Sequence, residues 1–382
     1  HLFSSAASDV YKRQSYSFDM LGEAARTMRQ ADNYFNAYMN AIDEVGKLNL
    51  IKNLNNGVSI KISALHPRYE MRKFKDLESE LIPRLIELVH YAHSKDVEIT
   101  IDAEEQDRLT LSLNIIEKLA LDKVIKNWTG FGIALQAYGK RSINVIHWIN
   151  KILDKREKMH LRLVKGAYWD YEIKHAQVFG YEDYPVYSKK SLTDISFLLC
   201  AKEILKNEKI YAKFATHNAH TISSVHQLGQ GKDYEFQRLY GMGELLYQSA
   251  EKVLNLEKKP SVYAPIGSYK DLLPYLVRRL LENGANSSFI NRLLDPETDA
   301  NWLAENPAIR IEKEKIDIPL PKNIFTERKN SSGFDLSENS NLENLEKSIS
   351  AHKKNKINAE SIYMNRDEKE KVGQKVYSIA NN

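Results

Sequence analysis

Three β-type runs set charged residues among apolar ones: Lys61 in "GVSIKISAL" (57–65), Asp102 in "VEITIDAE" (97–104) and Arg162 in "HLRLVKGAY" (160–168). Side chains alternate along a strand. Ser59, Lys61 and Ser63 therefore share one face, opposite Val58, Ile60 and Ile62. Thr100 and Asp102 oppose Ile99 and Ile101, and Arg162 and Val164 oppose Leu161 and Leu163. The apolar face has to be packed, so the charged face points the other way. An unpaired lysine or arginine there would cost several kcal/mol. Either the charges neutralise one another in a structural network, or they hold a ligand.

Further polar groups end similar runs: Gln136 in "GFGIALQAY", Lys165 in "HLRLVKGAY", and His217 and Asn218 in "IYAKFATHN". This set is mostly cationic or amide, which suits an anionic ligand such as a carboxylate, a phosphate or a reduced flavin. "THNAH" sets His217 and His220 three residues apart, and "DAEEQD" supplies carboxylates. A metal hydrolase could be built from these, but neither H-x-H nor H-E-x-x-H occurs. Tyr168, Trp169 and Tyr171 in "KGAYWDYE" are either packing residues or a stacking platform for a planar ring.

"DLLPYLVRRLLENGAN" (271–286) has a helical period stopped at Gly284. Leu272, Leu273, Leu276, Val277, Leu280 and Leu281 supply its apolar face; Tyr275, Arg278, Arg279 and Glu282 share another. Two arginines on one face can clamp a carboxylate. A wet surface with an Arg278–Glu282 pair, worth about 0.3–0.5 kcal/mol, has the same pattern.

The elements that position these residues repeat along the chain. Strand-like runs at 16–22, 57–65, 97–104, 130–138, 160–168, 210–218, 234–240 and 261–267 are each followed by helical patterns. Those patterns fall near 24–47, 76–94, 107–121, 141–155, 170–178 with 191–206, 219–228, 243–252 and 271–283. Eight strand–helix units predict an α/β fold, a closed (β/α)₈ TIM-like barrel whose strand C-termini form the active-site mouth. An open doubly wound sheet is the alternative, but no G-x-G-x-x-G follows the first strand.

The 382 residues are 42% apolar and 28% charged, with net charge +4, too balanced to argue for nucleic acid. No apolar run is long enough to span a membrane. Cys200 is the single cysteine, which excludes a disulfide framework and points to a reducing, cytoplasmic setting. "HLFSSAASDVYKRQ" (1–14) fits no element and is expected to be a non-native or disordered leader. The barrel is expected over 15–315. A polar linker with weak helical character near 341–354 is expected over 316–360.

"SIKISALHPRYE", "IDAEEQDRL", "LQAYGKR", "RLVKGAYWDYEIKHAQ", "FATHNAHT", "YEFQRLYGMGE", "YAPIGSYKDLLPYLVRRLLENGANSSF" and "LPKNIFTERKNSSGFDL" occur in that order. Together they resemble the proline dehydrogenase domain of the proline utilization A flavoenzymes over roughly 15–340. "SIYMNRDEKEKVGQKV" is similar to the start of the aldehyde dehydrogenase module of those bifunctional enzymes, so 361–382 is expected to be its truncated beginning. The resemblance implies a distorted (β/α)₈ barrel binding FAD. It also implies oxidation of L-proline to Δ1-pyrroline-5-carboxylate by hydride transfer from C5 to flavin N5. A quinone at the membrane surface would accept the electrons, and association with the membrane would be peripheral.

Carried over by motif, Lys61, Arg278 and Arg279 would hold the proline carboxylate, and Leu163, Tyr263 and Tyr275 would wall the ring. Glu23, Asp102 and Glu282 would support that site, and Arg162 would stand near flavin N5. Gln136, Val164, Lys165, Gly166, Ala167, Tyr168 and Trp169 would line the flavin, bordered also by Asp102, Arg279 and Glu282. Ser188, Lys190, Thr216, His217, Asn218, Gln237, Ser288 and Phe289 would lie along the rest of FAD. Ser188 stands where relatives carry threonine, keeping the hydroxyl, and Arg238 where a small residue can occur. The resemblance implies no metal. The competing readings from residues alone are a metal-dependent barrel hydrolase and a non-catalytic carboxylate-binding barrel.

Overall fold

The structure is a computed structural model describing residues 14–52, 54–267, 272–273, 275–277, 301, 304–313 and 318–353. Eight strands close into a parallel barrel in sequence order: β1 Tyr16–Met20, β2 Gly57–Ile60, β3 Glu98–Ile101, β4 Phe131–Gln136, β5 Met159–Val164, β6 Ile210–Ala215, β7 Tyr234–Leu239 and β8 Ser261–Ile266. β1 closes the ring on β8, Ser17 opposite Tyr263. Apolar residues on alternate positions face outward. Phe18, Val58, Ile60, Ile99, Ile101, Ile133, Leu161, Leu163, Phe214 and Val262 are buried in one core with the surrounding helices.

Those helices are α1 Met28–Lys52, α2 Phe74–Glu80, α3 Ile82–Ser94, α4 Leu109–Ala120, α5 Ser142–Leu153, α6 Trp169–Phe179, α7 Lys190–Ile204, α8 Ala219–Leu228 and α9 Glu244–Leu254. A stripe of Val145, Ile146, Ile149, Ile152 and Leu153 fixes α5 on the sheet. The helix expected over 76–94 is broken at Leu81, because Pro83 cannot continue a helix whose preceding turn offers a carbonyl to its ring. Ser63, expected at the end of a strand, lies in the 3-10 turn Ile62–Ala64. α10 Pro307–Lys313 and α11 Asn339–His352 follow the barrel. None of the helices among the described residues is long and apolar enough to cross a membrane.

The segment expected as a linker is pinned where it is described. Tyr184 donates to the Pro319 carbonyl at 2.7 Å, Asn330 to that of Gln177 at 2.9 Å, and the Gly333 N–H to that of Gly180 at 3.0 Å. Gly180 closes α6 in the left-handed conformation, and a Cβ there would stand 2.0 Å from the Ser331 carbonyl oxygen. Farther along, Glu338 accepts from Arg141 at 2.5 Å and from Thr110 at 3.0 Å. At the other end of the chain, Gln14 is buried and its amide donates to the Pro260 carbonyl at 2.8 Å.

The floor of the barrel carries its own charge network. Lys213 meets Glu98 at 2.6 Å and Glu235 at 3.5 Å, and His160 meets Thr100 at 2.9 Å. Burial, then Lys213 and Arg162, holds the His160 imidazole well below its ordinary pKa, so it stays neutral. A structural ion-pair network is thus present, one layer below the predicted mouth.

Candidate active site

The mouth is organised around Asp102, the residue just past β3. Its Oδ1 accepts from Arg162 Nη1 at 2.7 Å; its Oδ2 accepts from the Tyr263 hydroxyl at 2.9 Å and from Lys61 Nζ at 3.3 Å. Alternation on β2, β5 and β8 turns all three donors inward. The second guanidinium nitrogen of Arg162 donates to Ser17 and Ser59, each at 2.8 Å, and the plane of Arg162 lies 4.9 Å from the Tyr263 ring centre. Lys61 Nζ meets Asp19 Oδ1 at 2.5 Å, and the Lys61 backbone N–H donates to the Tyr38 hydroxyl at 3.1 Å.

Two cations, Lys61 and Arg162, therefore face two carboxylates, Asp19 and Asp102. This corrects the expectation of a mostly cationic and amide mouth: among the described residues the cluster is charge-balanced. The expectation left out Asp19, whose signal was its inward position two residues after Ser17 in "YSFDM". Burial opposes the Lys61 charge, but Asp19 and the other neighbours outweigh it and hold the ammonium well above its ordinary pKa. Burial, reinforced by Asp102, also keeps the Tyr263 phenol protonated, as its role as donor requires.

Gln136, the last residue of β4, donates to the Glu104 carbonyl at 2.8 Å and accepts from the Ala167 N–H at 3.3 Å. It thereby fixes the turn after β5. Within that turn Gly166 has φ +134°, and a Cβ there would lie 2.5 Å from the Tyr138 ring. Val164, Ala167, Tyr168 and Trp169 are half-buried beside it, with Trp169 Nε1 donating to the Tyr187 carbonyl at 2.9 Å. Lys165 turns to Asp194 of α7 instead of joining the Asp102 cluster. Ser188 and Lys190 are half-buried at the start of α7. After β6, Asn218 caps α8 by accepting from the Thr221 N–H at 3.0 Å. Thr216 accepts from the Asn218 N–H at 3.2 Å, and His217 Nε2 from the Leu239 N–H at 3.1 Å. Gln237 of β7 donates to Ser261 at 3.1 Å.

Leu163 does not join this group. It is fully buried on the outward face of β5, opposite in alternation to Arg162. Glu23 is half-buried between β1 and α1, and Tyr275 is half-buried on a helical turn. Leu273, Leu276 and Val277, expected on the packed face of that helix, are 57%, 43% and 44% exposed. The half-buried positions described there are Leu272 and Tyr275, three residues apart. Arg278, Arg279, Glu282, Ser288 and Phe289 lie outside the described residues. Asp19, Tyr38, Glu104 and Asp194 are the site-forming residues that motif and spacing missed.

Arg162 Nε and Gln237 Oε1 are buried without a hydrogen-bond partner among the described residues. A buried donor on β5 and a buried acceptor on β7, both left open, fit a ligand carrying both functions, as a flavin ring does.

An eight-stranded parallel barrel with such a cluster at its strand C-termini has the build of a barrel enzyme. The chain belongs to the proline dehydrogenase family, a family of oxidoreductases, whose sequence pattern matches residues 4–292. It is 45% identical over 356 residues to the bifunctional protein PutA of Klebsiella aerogenes, covering 87% of this chain and 27% of that protein. A crystal structure of a mutant proline utilization A (PutA) from Bradyrhizobium japonicum matches with TM-score 0.83 at 43% identity, covering 88% of this chain and 36% of that one. Proline dehydrogenase 1, mitochondrial, of Caenorhabditis elegans is 27% identical over 266 residues, 64% of this chain and 41% of that protein. The chain thus spans 27% of the length of the Klebsiella relative.

Proposed function

We propose that this chain oxidises L-proline to Δ1-pyrroline-5-carboxylate with FAD as cofactor. The observation that carries the reading is the Asp102–Arg162–Lys61–Tyr263 cluster at the strand ends, in a chain of this family. Lys61 offers an ammonium to the substrate carboxylate, joined by Arg278 and Arg279 on the resemblance. Tyr263 and Tyr275 wall the ring; Leu163, on the outer face of β5, is left out of that wall. Gln136, the 164–169 turn, Lys165 and the 216–218 turn would hold the flavin, with Arg162 Nε and Gln237 Oε1 as its open hydrogen-bonding groups. A flavin bound there supplies the acceptor for the hydride leaving proline C5.

The residues contribute orientation and electrostatics. The Arg162 charge, held by Asp102, Ser17 and Ser59, is preorganised to stabilise negative charge beside it. Asp102 already accepts three hydrogen bonds, so it is a poor base for the substrate N–H. That proton goes to solvent as the C=N bond forms. Electrons then pass to a quinone at the membrane surface, with the chain cytoplasmic and peripherally associated. The product passes to an aldehyde dehydrogenase module of a longer polypeptide; the relatives' name, bifunctional, supports that last step.

A visible spectrum of the purified protein, taken anaerobically before and after L-proline, tests the reading. A flavin band that bleaches supports it. A colourless protein, or a band indifferent to proline, overturns it.

A further inference from the structure

Asp19 and Lys61 form the shortest ion pair of the Asp102 cluster, at 2.5 Å, with both side chains less than a tenth exposed. The second carboxylate near Lys61, Asp102, stands at 3.3 Å and divides its acceptance among Lys61, Arg162 and Tyr263. Among the described residues Asp19 takes its side-chain hydrogen bond from Lys61 alone. The Lys61 backbone is extended at φ −96°, ψ 119° and is tied to Tyr38 of α1. Its position is thus set by Tyr38, and the direction of its ammonium by Asp19.

We propose that Asp19 is a positioning residue that keeps the Lys61 ammonium charged and aimed at the substrate carboxylate. The inference rests on the proline-binding reading above. The groups facing Lys61 are Asp19 from β1, Tyr38 from α1, Asp102 from β3 and Tyr263 from β8, with Arg162 of β5 reaching it through Asp102. Tyr38 and Tyr263 are buried phenols held neutral. Among the described residues, the two carboxylates are the anions that oppose the cost of burying the ammonium. Without Asp19 the remaining one is already shared with Arg162, and burial draws the Lys61 pKa down into the working range. The carboxylate-binding cation is then lost as pH rises.

The test is calorimetric binding of tetrahydrofuran-2-carboxylate to the cofactor-loaded protein from about pH 6 to about pH 9, below the ordinary lysine pKa. The parent's affinity should stay level over that range. Asp19→Asn should bind about tenfold more weakly near neutrality, about 1.4 kcal/mol, and weaken further as pH rises. Asp19→Glu should restore the level profile. In a Lys61→Met background, Asp19→Asn should add no pH dependence. A level profile for Asp19→Asn, or a sloping one that persists without Lys61, overturns the proposal. Reductive methylation with peptide mapping reads the Lys61 charge without any ligand. At about pH 8 Lys61 should react in Asp19→Asn and resist in the parent; equal reactivity overturns the proposal. A parent that fails to bind the analogue sinks the substrate reading, while the methylation result still decides whether Asp19 holds the charge. If Asp19→Asn does not fold, the Asp19→Asn/Lys61→Met double variant should fold, since no unpaired ammonium is left; its failure makes Asp19 purely structural and overturns the proposal.

Discussion

Asp102 and Arg162, brought from β3 and β5, meet at 2.7 Å in the barrel mouth, and the same guanidinium reaches β1 and β2 through Ser17 and Ser59. One side chain thereby ties four strands together while keeping Nε open. Its function and its contribution to stability are coupled for that reason.

Arg162→Met should therefore lower flavin reduction by proline by about a hundredfold, the usual scale for one lost donor to developing negative charge. The flavin potential should fall as well, while analogue affinity changes little. Stopped-flow reduction and a spectroelectrochemical titration measure the two. An unchanged rate and potential would place Arg162 away from the redox centre.

Glu172 on α6 is buried, accepting from the Gln106 N–H at 2.8 Å and the Tyr138 hydroxyl at 3.3 Å. Burial, with Asp107 and Glu105 adding, raises its pKa from 4.5 to about 7. A raised carboxyl pKa means that the folded state holds the proton more tightly than the unfolded one. Its stabilising contribution is full below about pH 4.5 and is lost as pH climbs through about 7. The change is at most about 3 kcal/mol at 1.36 kcal/mol per unit. Glu172→Gln keeps the acceptor oxygen and removes the titration. Melting curves at about pH 5 and about pH 8 should converge in the variant, with its gain at the higher pH. A gain confined to the lower pH would contradict the sign.

Arg141 joins the C-terminal segment to the barrel through Glu338 at 2.5 Å, and both side chains are partly exposed, 39% and 30%. Such a pair contributes at most about 1 kcal/mol, or about fivefold in an opening equilibrium. Arg141→Ala should speed limited proteolysis within 318–338 by up to that factor and leave proline turnover alone. Equal cleavage rates would show that Gly180, Gln177 and Tyr184 hold the segment without it.

FAD should be bound without a covalent link. The single cysteine, Cys200, is buried on α7, and burial pushes its thiol pKa up to about 11, far from a reactive thiolate. Acid precipitation should release the yellow chromophore into the supernatant. A chromophore that stays with the pellet would refute this.

The barrel was legible because strand alternation and helix period are local. Ile99, Ile101, Leu161 and Phe214 had to pack outward, and β1 to β8 followed within a few residues of their expected ends. Lys61, Asp102 and Arg162 were legible for the same reason, as polar residues on the opposite register. Asp19 carried the same signal, in a run whose polar set was not traced. Tyr38 and Asp194 were not legible, because they reach the mouth from helices and depend on how α1 and α7 dock. Leu163 shows the reverse failure: motif transfer placed in the mouth a residue that alternation alone puts outside.

The same contrast bears on the helical turn that carries Tyr275. A wet amphipathic surface would bury Leu272, Leu273, Leu276 and Val277 and leave Tyr275 out; instead the tyrosine is half-buried along with Leu272, and the other three are exposed. β8 ends at Ile266, at the strand C-termini that form the mouth. Arg278 and Arg279 follow Tyr275 by three and four residues in the sequence, a spacing that on a continued helical period would share its face. Two guanidinium forks added to the charge-balanced cluster would give the mouth the net positive charge that a carboxylate needs. A charge-assisted hydrogen bond contributes roughly 1.5–3 kcal/mol. Arg278→Met or Arg279→Met should then raise KM for proline by about ten- to a hundredfold at 1.4 kcal/mol per decade. Tetrahydrofuran-2-carboxylate should weaken in parallel, and FAD content should stay near the parent's, since most proposed flavin contacts lie on β4 to β6. If both variants bind proline and the analogue as the parent does, the arginines face solvent and Lys61 is the carboxylate's cation alone.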